Sequence, residues 1–353
     1  MSHANLRSFV LVLLIGALMP VSAVGQGQTQ GGAETGTWTV PRTPDGQPDL
    51  QGYWTTQTFT PLERPESLGD KAFFTEEEAA ALREQLTAEG VDPLRRDAIG
   101  IEDPEAREQS LYQANRDPSY VHYDNQVWLR TPVPKGLSTR RTSLITDPPN
   151  GRIPPLTPQG AARVASEEAR KNMFDSYDVR PLMERCIIWT HEGPPMLPPA
   201  YNDIHQIFQT PDYVVVFTEL GANPPRIIPL DGRPGLPESV SQFGGDSRGY
   251  WEGDTLVVET RNFVDRRIFR GSTKHRQVIE RFTRIDPTTI RYEFTIDDPT
   301  TWTEPWGGEV PMLSTDGPMY EYGCHEGNHD IRHILEINRN LERQADEAAG
   351  QTR

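Results

Sequence analysis

The sequence predicts a mainly β protein, an antiparallel barrel or sandwich with a few peripheral helices. Three observations carry this. From residue 186 onward, short segments that alternate apolar and polar side chains follow one another, joined by tight turns, the pattern of a meander with one buried face. The chain of 353 residues contains 32 Pro and 29 Gly, which suits a loop-rich fold better than a helix bundle. Helix start signals are few and lie mostly in the first half.

The clearest strand pair spans 244–263, GGDSRGYWEGDTLVVETRNF. Leu256 and Val258 alternate with Val257 and Glu259, and Gly253-Asp254 supplies a turn because Gly accepts φ > 0 at little cost. Residues 277–285 alternate Val278, Glu280 and Phe282 against Ile279, Arg281 and Thr283. Pro287 sits at the second position of the next turn, and Ile290, Tyr292, Phe294 and Ile296 share one face of the following strand. Further extended segments are expected at 187–189, 204–208, 213–220, 226–230, 301–312 and 319–324. The unbroken run Val214-Val215-Val216-Phe217 predicts a strand covered on both faces. Asn328 is expected to cap a terminal helix to about residue 343, with Ile331, Ile334, Leu335, Ile337 and Leu341 apolar.

Upstream the pattern is weaker. Arg7, an apolar run over 9–19 and the small residues Val21-Ser22-Ala23 form the three regions of a secretory signal, too short for a permanent span. Residues 1–23 are therefore expected to be cleaved, and 24–37 to be a disordered linker. Residues 38–185 are expected to wrap the core with two short helices. The first starts at a capping box, Thr75 with Glu78; the second starts at Thr157-Pro158. Asp49 to Trp54 is a candidate first strand, as are 127–129 and 142–146, and the charged stretch 92–116 reads as irregular. The β-rich core is placed at 186–343.

The formal charge of −16, from 51 acids against 35 bases, argues against nucleic acid as a partner. Only four cations are lysine (Lys71, Lys135, Lys171, Lys274), so arginine dominates, as a GC-rich genome alone would produce. Export would leave the two cysteines, Cys186 and Cys324, in an oxidising compartment, where pairing is the leading reading. Buried free thiols and a metal or nucleophile role are the alternatives. The protein is expected to be periplasmic or secreted, with no membrane span after cleavage.

Three clusters could carry chemistry. Cys324-His325-Glu326-Gly327-Asn328-His329, followed by His333, contains HExxH, in which two His a helical turn apart bind zinc and Glu acts as base. Gly327-Asn328 looks like a cap rather than a helix interior, so no metal is assigned and a capping turn with a functional Glu326 or His325 is favoured. Asp246 and Arg248 could hold each other with the guanidinium fork facing a ligand, or form a local salt bridge in a loop. Trp251 beside them could stack on a ring or serve as a lid or core residue. Tyr201, Asn202 and His205, with Glu219 at the end of the most apolar strand, could line a barrel mouth, where burial would raise a carboxyl pKa. The competing reading is a structural His and a solvated strand-end charge. The fingerprints of dinucleotide, nucleotide, serine-hydrolase and c-type haem proteins are absent, and no cofactor is expected.

The motifs PDGQPDLQGYW, RTSLITDPPNGRIPPLTP, ERCIIWTHEGPPMLPPAYN, GDSRGYWEGDTLVVET, DPTTWTEPW and YEYGCHEGN resemble those of a large group of secreted bacterial proteins that has no general assigned activity. The resemblance covers most of the chain after the signal and implies a lipocalin-like core. The group carries Tyr at the position of His329, so it does not share the HExxH pattern.

The resulting expectation is an exported enzyme acting on a small or glycosidic molecule by acid–base chemistry in a barrel mouth, as a hydrolase, lyase or isomerase. Glu326 or His325 would move the proton, Arg248 held by Asp246 would orient the substrate, and Trp251 would stack on it. Tyr201, Asn202, His205 and Glu219 would complete the binding surface. The alternatives are a non-catalytic binding protein for a hydrophobic or aromatic small molecule, and a structural module of the envelope.

Overall fold

The computed structural model describes residues 38–112, 124–126, 134–199, 201–221, 224–265 and 269–351. The expected signal, linker and 127–129 strand lie outside these. Thr39–Arg353 forms one compact unit.

Alternating side chains build the sheet. Its ten strands are β1 (Gly52–Thr55), β2 (Ile145–Asp147), β3 (Ile204–Gln209), β4 (Tyr213–Thr218), β5 (Arg226–Pro229), β6 (Asp246–Glu252), β7 (Thr255–Arg261), β8 (Gln277–Asp286), β9 (Thr289–Asp297) and β10 (Trp306–Thr315). Nine run in the order β5-β4-β3-β1-β10-β9-β8-β7-β6, all neighbours antiparallel, and β2 pairs with β10 beside that path. The sheet curls into a nearly closed barrel whose end strands, β5 and β6, meet through side chains without a ladder. Arg226 Nε on β5 donates to Ser247 Oγ on β6 at 3.0 Å. Gly249 on β6 lets β5 approach, since a Cβ there would lie 2.8 Å from Leu230 Cδ2 and 2.9 Å from Ile228 Cγ2.

Inward positions fill the barrel. Trp54, Ile207, Val214, Val216, Ile228, Leu256, Val258, Phe282, Tyr292, Phe294, Trp306 and Met312 belong to one buried cluster, as expected for a small barrel whose interior holds side chains. The β6–β7 hairpin turns at Gly253 (φ +61°), and the β8–β9 turn contains Pro287, both as the sequence predicts.

Among the described residues five α-helices lie outside the barrel: α1 (Glu76–Leu86), α2 (Pro104–Tyr112), α3 (Pro158–Arg170), α4 (Cys324–Gly327) and α5 (Asp330–Gln351). Thr75 and Glu78 form the expected capping box on α1; the Thr157 side chain caps α3, with Pro158 in its first turn. Cys186 and Cys324 form a disulfide, with Cα atoms 5.8 Å apart.

Several expectations need correction. Residues 38–185 do more than wrap the core. β1 is inserted between β3 and β10, and α1, α2 and the 3-10 turn Arg96–Gly100 enclose a second apolar cluster around Phe59, Leu86, Ile99 and Leu111. Its described residues hold three α-helices rather than two, because α2 forms within the stretch read as irregular. The strand expected at 142–146 is shorter and shifted, to Ile145–Asp147. Residues 187–189 and 319–324 are not strands. The run Val214–Phe217 is covered fully on one face only: Val214 and Val216 are buried, whereas Val215 and Phe217 are half-buried on the outer surface. The terminal helix extends to Gln351 and is largely exposed.

Candidate functional site

One end of the barrel carries a layer of polar side chains in place of apolar ones. Arg226 begins β5 and points inward, towards Glu280 of β8, Tyr292 of β9, Ser247 of β6 and Thr260 of β7. Its Nη1 donates to Glu280 Oε1 at 2.9 Å, its Nη2 pairs with Glu280 Oε2, and Nη2 also donates to Thr260 Oγ1 at 2.9 Å. Ser247 and Thr260 share a hydroxyl bond of 2.8 Å. The Tyr292 hydroxyl donates to Glu280 Oε1 at 2.8 Å. Burial alone would lower the Arg226 pKa, but the Glu280 carboxylate outweighs it and holds the guanidinium above its ordinary value. Burial, reinforced by Glu280, pushes the Tyr292 phenol well above its usual value. A buried pair of this kind persists only with its remaining donors and acceptors satisfied.

Residues 186–199 close this end as a plug. The segment contains the 3-10 turn Thr190–Glu192 and cis peptides before Pro194 and Pro195. Met196 enters the core, and its backbone N–H donates to the Tyr292 hydroxyl at 2.8 Å. Behind the plug Arg96 donates from Nη1 to Pro198 O at 2.9 Å and from Nη2 to Pro199 O. Burial lowers its pKa to about 10, although Asp203 opposes the shift. Asp203 accepts the Thr55 hydroxyl at 2.7 Å and is raised by burial.

A cleft of about 510 Å³ opens where the plug meets the β5–β6 seam. Its walls include Glu192, Gly193, Thr218, Arg226, Gln242, Phe243, Asp246 and Ser247. Glu192 is only 9% exposed, and its Oε1 accepts the Trp189 N–H at 2.7 Å, so the turn orients its own carboxyl. Thr218 bonds to His205 Nδ1 at 3.1 Å, placing a buried imidazole one hydroxyl behind the cleft. Burial, with a smaller contribution from nearby His191, lowers the His205 pKa to about 3, so the ring is neutral. His191 is also lowered by burial. Its Nε2 lies 3.0 Å from the Glu219 carbonyl oxygen, which can only accept, so in the neutral ring Nε2 carries the proton.

The predicted residues scatter relative to this cleft. Asp246 lines it and pairs with Arg248 at 2.5 Å. Asp246 Oδ2 accepts the Leu236 N–H at 2.7 Å, while Arg248 also donates to Ser247 O and Pro234 O. The pair thus anchors the β5–β6 connection. His205 and Glu219 are buried beside the cleft, His205 through Thr218 and Glu219 at the end of β4. Tyr201 and Asn202 are half-buried just before β3, and Asn202 is left-handed at φ 56°. Trp251 packs on the core at the far end of β6, away from the cleft.

Glu326 and His325 are exposed on α4, at the disulfide, and do not line the cleft. The helix breaks at Asn328, so His325, His329 and His333 do not share one helical face. Among the described residues no three His, Cys, Asp or Glu side chains are grouped to hold a metal.

Sequence reasoning did not single out His191, Glu192, Thr218, Arg226, Glu280 or Tyr292. The available signal was two ionisable residues directly before Gly193-Pro194-Pro195, in a segment with no periodicity to mark them. Among the described residues no helix is long and apolar enough to cross a membrane. Compared with protein-family models, curated proteins and solved structures, the chain matches none.

Proposed function

We propose that the protein is an exported enzyme that acts on a small hydroxylated molecule by acid–base chemistry in the cleft at the barrel mouth. The observation that carries this reading is the convergence of Glu192, Thr218 and Ser247 on one cleft of about 510 Å³. Glu192 is the proton-carrying group, because a shielded, oriented carboxyl in a concave site is suited to general acid or base work. Thr218 and Ser247 meet substrate hydroxyls, and His205 polarises Thr218 from behind through their 3.1 Å bond. Asp246 and Arg248 position the β5–β6 connection rather than the reacting atoms. Glu326 and His325 have no role in this scheme. The Cys186–Cys324 disulfide supports export to an oxidising compartment, as does the signal-like start of the sequence.

The filled barrel interior weighs against a ligand sequestered at its centre. The test is a screen of the disulfide-intact protein against chromogenic glycosides and esters of small hydroxy acids. Turnover by the wild type, lowered roughly 10²–10⁴-fold in Glu192→Gln with binding retained, is the expected result. No turnover, together with an organic molecule retained in native mass spectrometry, would replace this reading with that of a non-catalytic binding protein.

A further inference from the structure

A second cavity lies on the other face of the plug. Trp189 and Thr190 line it, whereas Glu192 and Gly193, two residues further on, line the mouth cleft. Its volume of about 320 Å³ falls within the range of small-molecule sites, roughly 300–1,000 Å³. Its apolar walls are Leu182, Met183, Ile188, Trp189 and Phe269.

Charge distinguishes this cavity from a packing gap. Among the described residues, Arg170, Lys171, Arg180 and Arg185 border it against two acids, Glu167 and Asp178, on a chain whose formal charge is −16. Two of the four cations are engaged elsewhere. Arg180 binds both oxygens of Glu184 at 2.9 Å and the carbonyls of Lys171 and Met173. Lys171 pairs with Glu168 at 2.6 Å. Arg170 and Arg185 each commit a single nitrogen to a hydrogen bond: Arg170 Nη1 to Glu167 at 3.4 Å, and Arg185 Nη1 to the Asp178 carbonyl at 3.3 Å, with the Arg185 guanidinium lying 5.6 Å from the centre of the Tyr177 ring. Each keeps further N–H donors of its fork, the geometry that receives a carboxylate, sulfonate or phosphate.

We propose that this cavity is a second ligand site, built for a small aromatic molecule carrying one anionic group. The ring lies among Met183, Ile188 and Phe269, and the anion meets Arg170 and Arg185. The site is separate from the mouth cleft and stands whether or not the cleft is catalytic.

A matched pair of probes tests it by titration calorimetry on the folded, disulfide-intact chain: 2-naphthalenesulfonate, which is anionic, and 2-naphthol, which is neutral at pH 7. The wild type should bind one sulfonate per chain, about tenfold more tightly than the naphthol. Arg170→Gln/Arg185→Gln should abolish that preference and leave naphthol affinity unchanged. Met183→Asp, at a side chain 43% exposed, should lose both probes. The two sets of changes alter different side chains of the lining, so either one alone decides, with circular dichroism confirming the fold. Wild-type protein that binds neither probe, Met183→Asp that binds like wild type, or a double variant that keeps its preference would each overturn the proposal.

Discussion

Met196 donates its backbone N–H to the Tyr292 hydroxyl at 2.8 Å, and the same hydroxyl donates to Glu280 Oε1 at 2.8 Å. This one oxygen joins the plug to the polar layer of the barrel. Both bonds are buried, so neither partner can turn to water when the hydroxyl is removed. Tyr292→Phe keeps the ring packing but strands the Met196 N–H. We expect a loss of roughly 1–3 kcal/mol, read as a lower midpoint in urea with an unchanged slope. An unchanged midpoint would mean that the plug is held without this joint.

The Arg226–Glu280 pair lies beneath that joint and should respond asymmetrically. Arg226→Met leaves a buried carboxylate without its partner and should cost roughly 3–5 kcal/mol. Arg226→Met/Glu280→Leu removes both charges and should recover much of that loss. Denaturation of the single and double variants measures the coupling. A double variant as unstable as Arg226→Met would show that the surrounding hydroxyls, rather than the charge, set the cost.

His205 should make the fold acid-sensitive. Its folded pKa is depressed from 6.5 to about 3 by burial, so the unfolded chain binds the proton first as pH falls. The stabilisation is complete above pH 6.5 and is lost between there and about 3, with a slope approaching roughly 1.4 kcal/mol per pH unit for one proton. His191, depressed in the same direction, adds to the loss. Asp203, raised above 3.8 by burial, acts oppositely: its contribution is present at low pH and declines as pH rises through its folded pKa. His205→Gln should flatten the stability curve below pH 6.5. A wild-type slope in that variant would assign the acid sensitivity elsewhere.

The disulfide spans 138 residues of sequence, so Cys186→Ser/Cys324→Ser should cost roughly 3–5 kcal/mol in the chain-entropy picture. Among the described residues the C-terminal helix has few other polar ties. Asn328 Nδ2 donates to Glu184 O at 2.9 Å, and Arg339 donates to Asp175 O at 2.7 Å. Hydrogen exchange should therefore show α5 losing protection in the serine variant before the barrel does. Equal loss across α5 and β8–β9 would indicate that the bond stabilises the whole fold as a unit.

Legibility in the sequence followed the range of each interaction. The β6–β7 and β8–β9 hairpins were readable because a two-residue period and a Gly or Pro turn are properties of a few neighbouring residues. The caps at Thr75 and Thr157 were readable for the same reason. His205 and Glu219 were singled out and lie beside the cleft, because an ionisable residue in an apolar strand stands out against its own pattern. Glu192 did not stand out, because nothing periodic surrounds it. Glu326 and His325 drew attention through a motif whose chemistry needs an unbroken helix, and Asn328 interrupts it.

The sequence by itself determined the β class, the tight hairpins and the starts of α1 and α3, and it made pairing the leading reading of its two cysteines. Each follows from local periodicity, turn chemistry or simple arithmetic. Only the tertiary structure decided that β1 lies between β3 and β10, that residues 186–199 plug the barrel, and that Glu192 shares a cleft with Thr218 and Ser247. Strand order depends on which sheet edge is open to segments far away in the chain: Trp54 pairs with His205 on one side and Ser314 on the other. Whether a polar side chain faces water, a partner or a cleft depends likewise on what packs over it, and in this chain that cover comes from distant segments.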